Sequence, residues 1–356
     1  MQFFLQLIGV GLVLVSLADI FLTVLHPRSE SSLLSMLVAR AVWCLFRVVA
    51  QGLPKQRDRI LSYGGSTIIV TVIGVWVLLL LIGFALVIWP GLGTAIQTSQ
   101  GETPTDFGTA LYYTGFSLTT LGTGDLVPKT DSHRFLMVLQ SLLGFSIFTL
   151  ALSYVLAVYG ALTSRNTFAL NLHYRSAGSA DSAELLRRLA TGNDLNTLHQ
   201  NIADIAQNLI SLLELNNSYP LLLYFRYRQP YYALARVIYL VMDTATLIKS
   251  TLDQDYYGSI INSSSVAEVW HGGLHLLNGL NREFLRKENF SSQELSETFW
   301  QEHYYRALEQ LKSEGIKTID NPDLGADVYV SLRHQWAADL ARLIAYTDYR
   351  PSQIYK

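Results

Sequence analysis

The chain has 356 residues, half of them hydrophobic and 15% charged, with a formal net charge of −2. Ordinary soluble domains carry roughly 25% charged residues, so the balance points to a membrane protein and away from a nucleic-acid binder. Cys44 is the single cysteine, which excludes an intrachain disulfide and a cysteine-based zinc cluster and suits a reducing compartment.

The first apolar run, Phe3 to Leu25, is long enough to cross a bilayer at ~20 residues per crossing. It has no basic leading region and no small-residue cleavage signal, so it reads as a retained transmembrane helix. Asp19 lies inside it, and a local ion pair with Arg40 or Arg47 is the simplest expectation. Segment 33–53 puts Arg40 and Arg47 on one helical face, with Leu37, Val42, Leu45, Phe46 and Val49 on the others. That pattern fits a helix in the cytoplasmic interface better than a fourth span, because lipid-facing arginines at mid-depth are costly, although the sequence leaves both open. Segments 66–89 and 133–163 are the second and third spans, the last longer than a bilayer needs, with Trp89 as an interface anchor. Arg28, Arg40, Arg47, Lys55, Arg57 and Arg59 all fall between spans one and two, and no Lys or Arg occurs from 60 to 128. The positive-inside rule then places the N-terminus outside and everything after 163 in the cytoplasm, in a multi-pass plasma-membrane protein.

Between the second and third spans, Thr105 or Asp106 can cap a short helix running to about Thr119. Its carbonyl end carries partial negative charge, which favours a cation. The segment Thr119-Thr120-Leu121-Gly122-Thr123-Gly124-Asp125 follows. Gly122 and Gly124 tolerate the backbone angles that turn successive carbonyls toward one axis, where they can replace an ion's hydration shell.

Residues 110–128 resemble the pore helix, filter and outer turn of the tetrameric potassium-channel family, and the resemblance extends over roughly residues 64–163. It implies a filter of Thr120, Leu121, Gly122, Thr123 and Gly124, supported by Tyr112, Tyr113 and Asp125. It also implies an inner helix with Gly144 at the hinge position, where glycine equally permits close packing. Phe145, Phe148, Leu152, Ser153 and Leu156 would line the cavity and gate. The implied assembly is a homotetramer in the bilayer passing K+, or also Na+, with no cofactor and no metal beyond the permeating cations. Two departures stand out: Leu121 replaces the usual Val, and Thr123 replaces Tyr or Phe. Threonine is too short to reach the pore helix, so selectivity over sodium is expected to fall below the family norm unless the Thr123 hydroxyl bonds a nearer group.

Residues 166–356 carry 17 Lys and Arg against 21 Asp and Glu, as in a soluble domain. Helices are expected over 181–190, 194–216, 230–252, 266–286, 292–313 and 325–347. Leu198, Ile202, Ile205, Leu209 and Leu212 give the second a single apolar face. Asp194 and Ser292 are suitable N-caps, and Asn321-Pro322 opens the last helix. No Gly-x-Gly-x-x-Gly and no strand alternation appear, so a nucleotide-binding regulatory domain is not expected. His271 and His275 share a face at metal-ligand spacing, but no acid completes a site and the intervening glycines weaken the helix. No catalytic order of Ser, His and Asp occurs, so no enzyme is expected.

The expected fold is an all-α membrane protein with an N-terminal segment (1–60), a potassium-channel-like pore domain (61–165) and a helical cytoplasmic regulatory domain (166–356) for an unknown ligand. The rivals are a non-selective cation channel and a non-conducting, membrane-anchored ligand sensor or scaffold.

Overall fold

The computed structural model describes residues 2–26, 32–190, 194–285 and 296–355. The chain forms two compact units, Met1–Cys44 with Ser66–Gly160, and Leu45–Gly65 with Ala161–Lys356. The helices that begin the chain are α1 (Gln2–Ile20, continued by a π-turn over Phe21–Leu25), α2 (Leu33–Gly52), α3 (Arg57–Ser62) and α4 (Gly64–Ile88). A two-stranded hairpin, β1 (Ile96–Thr98) with β2 (Leu126–Pro128), brackets α5 (Phe107–Leu118). The 45-residue α6 (Asp131–Arg175) contributes to both units. Four helical stretches are long and apolar enough to cross a membrane: Gln2–Leu25, Leu34–Gly52, Gly64–Gly91 and Asp131–Arg175.

In the first unit α1 and α4 pack antiparallel, with Gln6 Nε2 donating to Val87 O and Ser16 Oγ to Trp76 O, both at 3.2 Å. Gly9 and Gly83 make the approach possible, since a Cβ on Gly9 would lie 2.5 Å from Gly83 O. Asp19 is buried at this contact, and the expected ion pair with Arg40 or Arg47 does not form. Its carboxylate instead accepts from Leu34 N (3.1 Å), Ser35 N (3.3 Å), Ser35 Oγ (2.5 Å) and Trp76 Nε1 (2.7 Å). The acid is held by the unsatisfied amides and positive dipole end of α2, so no cation has to be desolvated beside it.

The second unit is built from α7 (Ser182–Leu189), α8 (Leu195–Ser218), α9 (Leu234–Thr251), α10 (Gln254–Ile261), α11 (Ser264–Leu280), α12 (Glu297–Ser313), α13 (Pro322–His334), α14 (Ala337–Tyr346) and α15 (Pro351–Ile354). Nearly all of α9 is buried, with α7, α11, α13, α14 and α15 packed on it. Asp194 caps α8 and Asn321 caps α13 as expected, whereas Ser292 lies outside the described residues and Ser296 caps α12. Two differences from the expected elements have packing causes. The 325–347 helix is split, because Trp336 turns in under the Arg333 guanidinium, 4.0 Å from its ring centre. Gly272 and Gly273 strengthen the fold rather than weaken it: a Cβ at Gly273 would sit 2.1 Å from Met242 Sδ, so glycine lets α11 close on α9. His271 and His275 face solvent on that helix.

Buried Asp243 is the polar centre of this unit. Arg333 and Tyr329 bond its Oδ1 and His303 its Oδ2, while the Arg333 guanidinium stacks on Trp300 at 3.6 Å. Burial pushes the Asp243 carboxyl up, but Arg333 and His303 outweigh it and hold the group well below the usual carboxylate range. A second polar knot fixes residues from distant parts of the chain. Arg57 pairs with Asp348 at 2.7 Å, and Arg226 pairs with Asp58 at 2.6 Å and lies over the Tyr349 ring at 4.2 Å. Arg165 of α6 donates to Leu222 O (2.7 Å) and Phe225 O (2.8 Å) in the same stretch.

Candidate functional site: the loop after α5

α5 starts at Asp106, whose carboxylate accepts from Thr109 N (3.0 Å) and Thr109 Oγ1 (2.8 Å). Its inward face of Ala110, Tyr113 and Phe116 joins Ala85, Ile88, Leu92, Ile96 and Leu126 in one apolar cluster, which anchors the helix against α4 and the hairpin. The helix ends where Thr119 Oγ1 turns back to Gly115 O (2.8 Å), and Leu121 N then bonds Phe116 O (2.9 Å). Hairpin pairing of Gln97 with Val127 holds the other end of the loop. Residues 119–125 are thus suspended between two fixed points.

Within the loop, φ is positive at every second residue: 57° at Thr120, 60° at Gly122 and 76° at Gly124. The glycines take these angles without strain, whereas a non-glycine there costs on the order of 1–3 kcal/mol. Thr120 is the strained member, and nothing in its residue type signals it. Residues 119–125 are exposed in the single chain, with Leu121 at 71%.

Thr123 Oγ1 donates to Asp125 Oδ1 at 2.5 Å, and Asp125 Oδ1 also accepts from Leu126 N at 3.0 Å. The short side chain therefore does find a nearer group. The Thr123 bond is the main cause holding the Asp125 carboxyl below its ordinary value, with Tyr112 adding to it. The two tyrosines take different positions. Tyr113 is buried, 5.0 Å from the Phe116 ring, while Tyr112 is half exposed and meets the same ring at 5.3 Å.

Gly144 lies in unbroken α6, and a Cβ there would be 1.9 Å from Leu118 O. Its visible role is close approach to the end of α5, reinforced by Ser141 Oγ donating to Ser117 O at 3.0 Å. Phe145, Phe148, Leu152, Ser153 and Leu156 form an exposed face of α6, while Ile147, Ala151, Tyr154 and Val158 are buried on its other side. An apolar hollow of about 500 Å³ runs from Thr119 and Thr120 past Gly144 to Phe145 and Phe148. Gln140, which no sequence motif marks, is fully buried on α6, and its amide has no partner among the described residues.

Residues 68–160 match a family model described as an ion channel. The chain is 20% identical over 248 residues, 70% of its own length and 70% of the relative's, to an uncharacterized membrane protein of Bacillus subtilis (strain 168), YdjJ. No solved structure matches. The chain is an all-α, multi-pass membrane protein with an ion-channel domain.

Proposed function

We propose that four copies of this ion-channel domain surround a pore that conducts potassium passively down its electrochemical gradient. The alternation of positive φ at 120, 122 and 124, between a capped helix and a paired hairpin, carries the reading. A strand so alternated can turn successive carbonyls to one side, and four such strands about an axis would replace a cation's water shell. Carbonyls of Thr120, Leu121, Gly122 and Thr123 would supply the sites. The exposed face from Phe145 to Leu156 would line the cavity and narrow it at the gate, with Gly144 as a hinge. The domain beyond residue 166, continuous with α6, would bias that gate from the cytoplasm.

The positive-inside distribution supports a plasma-membrane topology of three crossings. Ser35 meets Asp19, which bonds Trp76, twelve residues into α4 and about 18 Å along its axis. A helix whose first turn lies at that depth does not begin a fresh crossing at the membrane surface.

The Thr123–Asp125 bond favours retention of potassium preference, whereas loss of the aromatic favours a non-selective cation pore. Purified protein in a planar bilayer, with reversal potentials read in opposed K+ and Na+ gradients, decides between them. Absence of any current from verified tetramers would leave the sensor or scaffold reading.

A further inference from the structure

A cleft of about 190 Å³ in the second unit takes no part in the reading above. α12 sets His303, Arg306 and Gln310 on one face, being three and four residues apart. The turn after α6 contributes Ser179 and Asp181, and Tyr355 completes the wall. Arg306 makes no ion pair or hydrogen bond with any described residue, although it borders a concave site. His303 is only 14% exposed and is fixed through Nε2 on Asp243 at 3.0 Å, which leaves Nδ1 without a partner among the described residues. Asp181 caps α7 by accepting from Ala183 N at 2.9 Å through Oδ1, so Oδ2 is spare. Gln310 is already engaged, donating to Glu184 Oε2 at 3.3 Å.

One cleft therefore offers an unpaired guanidinium, an imidazole nitrogen and a spare carboxylate oxygen. A simple anion would be drawn by Arg306 and repelled by Asp181, and a simple cation would meet the reverse. A molecule carrying both charges satisfies both. We propose that the cleft binds a small amino-carboxylate zwitterion, its carboxylate on Arg306 and its ammonium on Asp181 and on His303 Nδ1, which is an acceptor while Nε2–H donates to Asp243. His303 links the cleft to the Asp243 cluster that joins α9, α12 and α13, so occupancy reaches the centre of the unit. Any effect on the pore rests on the channel reading, while binding itself does not.

Calorimetry on the full chain in detergent tests this with L-alanine as the probe, and with acetate and ethylammonium as its single-charge halves. Saturable L-alanine binding is expected, weakened roughly tenfold or more by Arg306→Gln and by Asp181→Asn. Asparagine caps helices as well as aspartate, so the second variant removes charge without removing the cap. Each half-molecule should bind at least roughly tenfold more weakly than L-alanine, because each forgoes one charged pair. No saturable L-alanine binding by folded wild-type protein overturns the proposal. So does acetate binding as tightly as L-alanine with Asp181→Asn indifferent. Binding in a protein that passes no current would sink the channel reading and leave this site standing.

Discussion

Among the described residues each unit buries one carboxylate, and the two are held by different kinds of partner. Asp243 takes the arrangement familiar in soluble domains, a buried guanidinium backed by an imidazole and a phenol. Asp19, among membrane helices, takes two peptide amides, a hydroxyl and an indole, with no cation among the described residues. The difference follows from what surrounds each site. In lipid, a counter-cation brings its own desolvation cost, whereas a helix terminus brings charge already paid into the fold by peptide geometry. The outer surfaces differ likewise: the face from Phe145 to Leu156 leaves large apolar side chains uncovered, while in the second unit Tyr224, Tyr239, Tyr257, Tyr304, Tyr329 and Tyr346 are buried.

The contrast is broken most severely by Asp243→Ala, which strands Arg333 as a buried unpaired charge. A loss of about 3–5 kcal/mol is expected in denaturant unfolding of the second unit. The same acid sets a pH dependence. Its folded value is depressed, so its stabilisation is complete above the unfolded value near 4 and drains away as pH falls from there through the folded value. Between pH 6 and 8 this group contributes no slope, and Asp243→Asn should shrink the acid limb in a pH-resolved melt, leaving the share of Glu184, whose carboxyl the Arg187 and Arg188 guanidinium groups also hold low.

Gly144→Ala comes next. Forcing a methyl group against Leu118 O should cost about 1–3 kcal/mol and push α6 off α5, read as a lower melting temperature of the full chain in detergent. In the membrane unit, Asp19→Asn should lose about 1–3 kcal/mol, since a group that accepts four donors becomes partly a donor itself. Arg40→Gln should leave that site undisturbed, and equal losses from the two variants would restore the ion pair that the structure lacks. A smaller effect, about 1 kcal/mol, is expected for Thr123→Val, which keeps the shape and removes the bond to Asp125. It should appear as a several-fold drop in the potassium-to-sodium permeability ratio, with assembly intact. Gln140→Leu should be neutral or stabilise by up to about 1 kcal/mol, because it replaces an unpartnered buried amide.

Much of the candidate site was legible because it is local. Asp106 and the two glycines are read from neighbours within a few residues, and they stand where their types require. The left-handed Thr120 escaped notice because its angle is imposed by fixed ends at Phe116 and β2 rather than by its own preference. The partners of Asp19 differ from the expected arginines because the amides that hold it have no identity in sequence: any residue at 34 presents the same N–H. The break at Gln335 and Trp336 carries no glycine or proline, and arises only because Trp336 finds Arg333 in three dimensions. Sequence offers both hinge and contact at Gly144, and the contact becomes visible only with the carbonyl that faces it.

Residues 222–227 and 348–349 hold Arg57 and Asp58, just before α4, and also Arg165, within α6. The start of α4 and the later part of α6, far apart in the chain, thus share one anchorage: a side-chain change at Arg226 or Asp348 loosens the first, and one at Phe225 or Leu222 reaches the second through the same few residues.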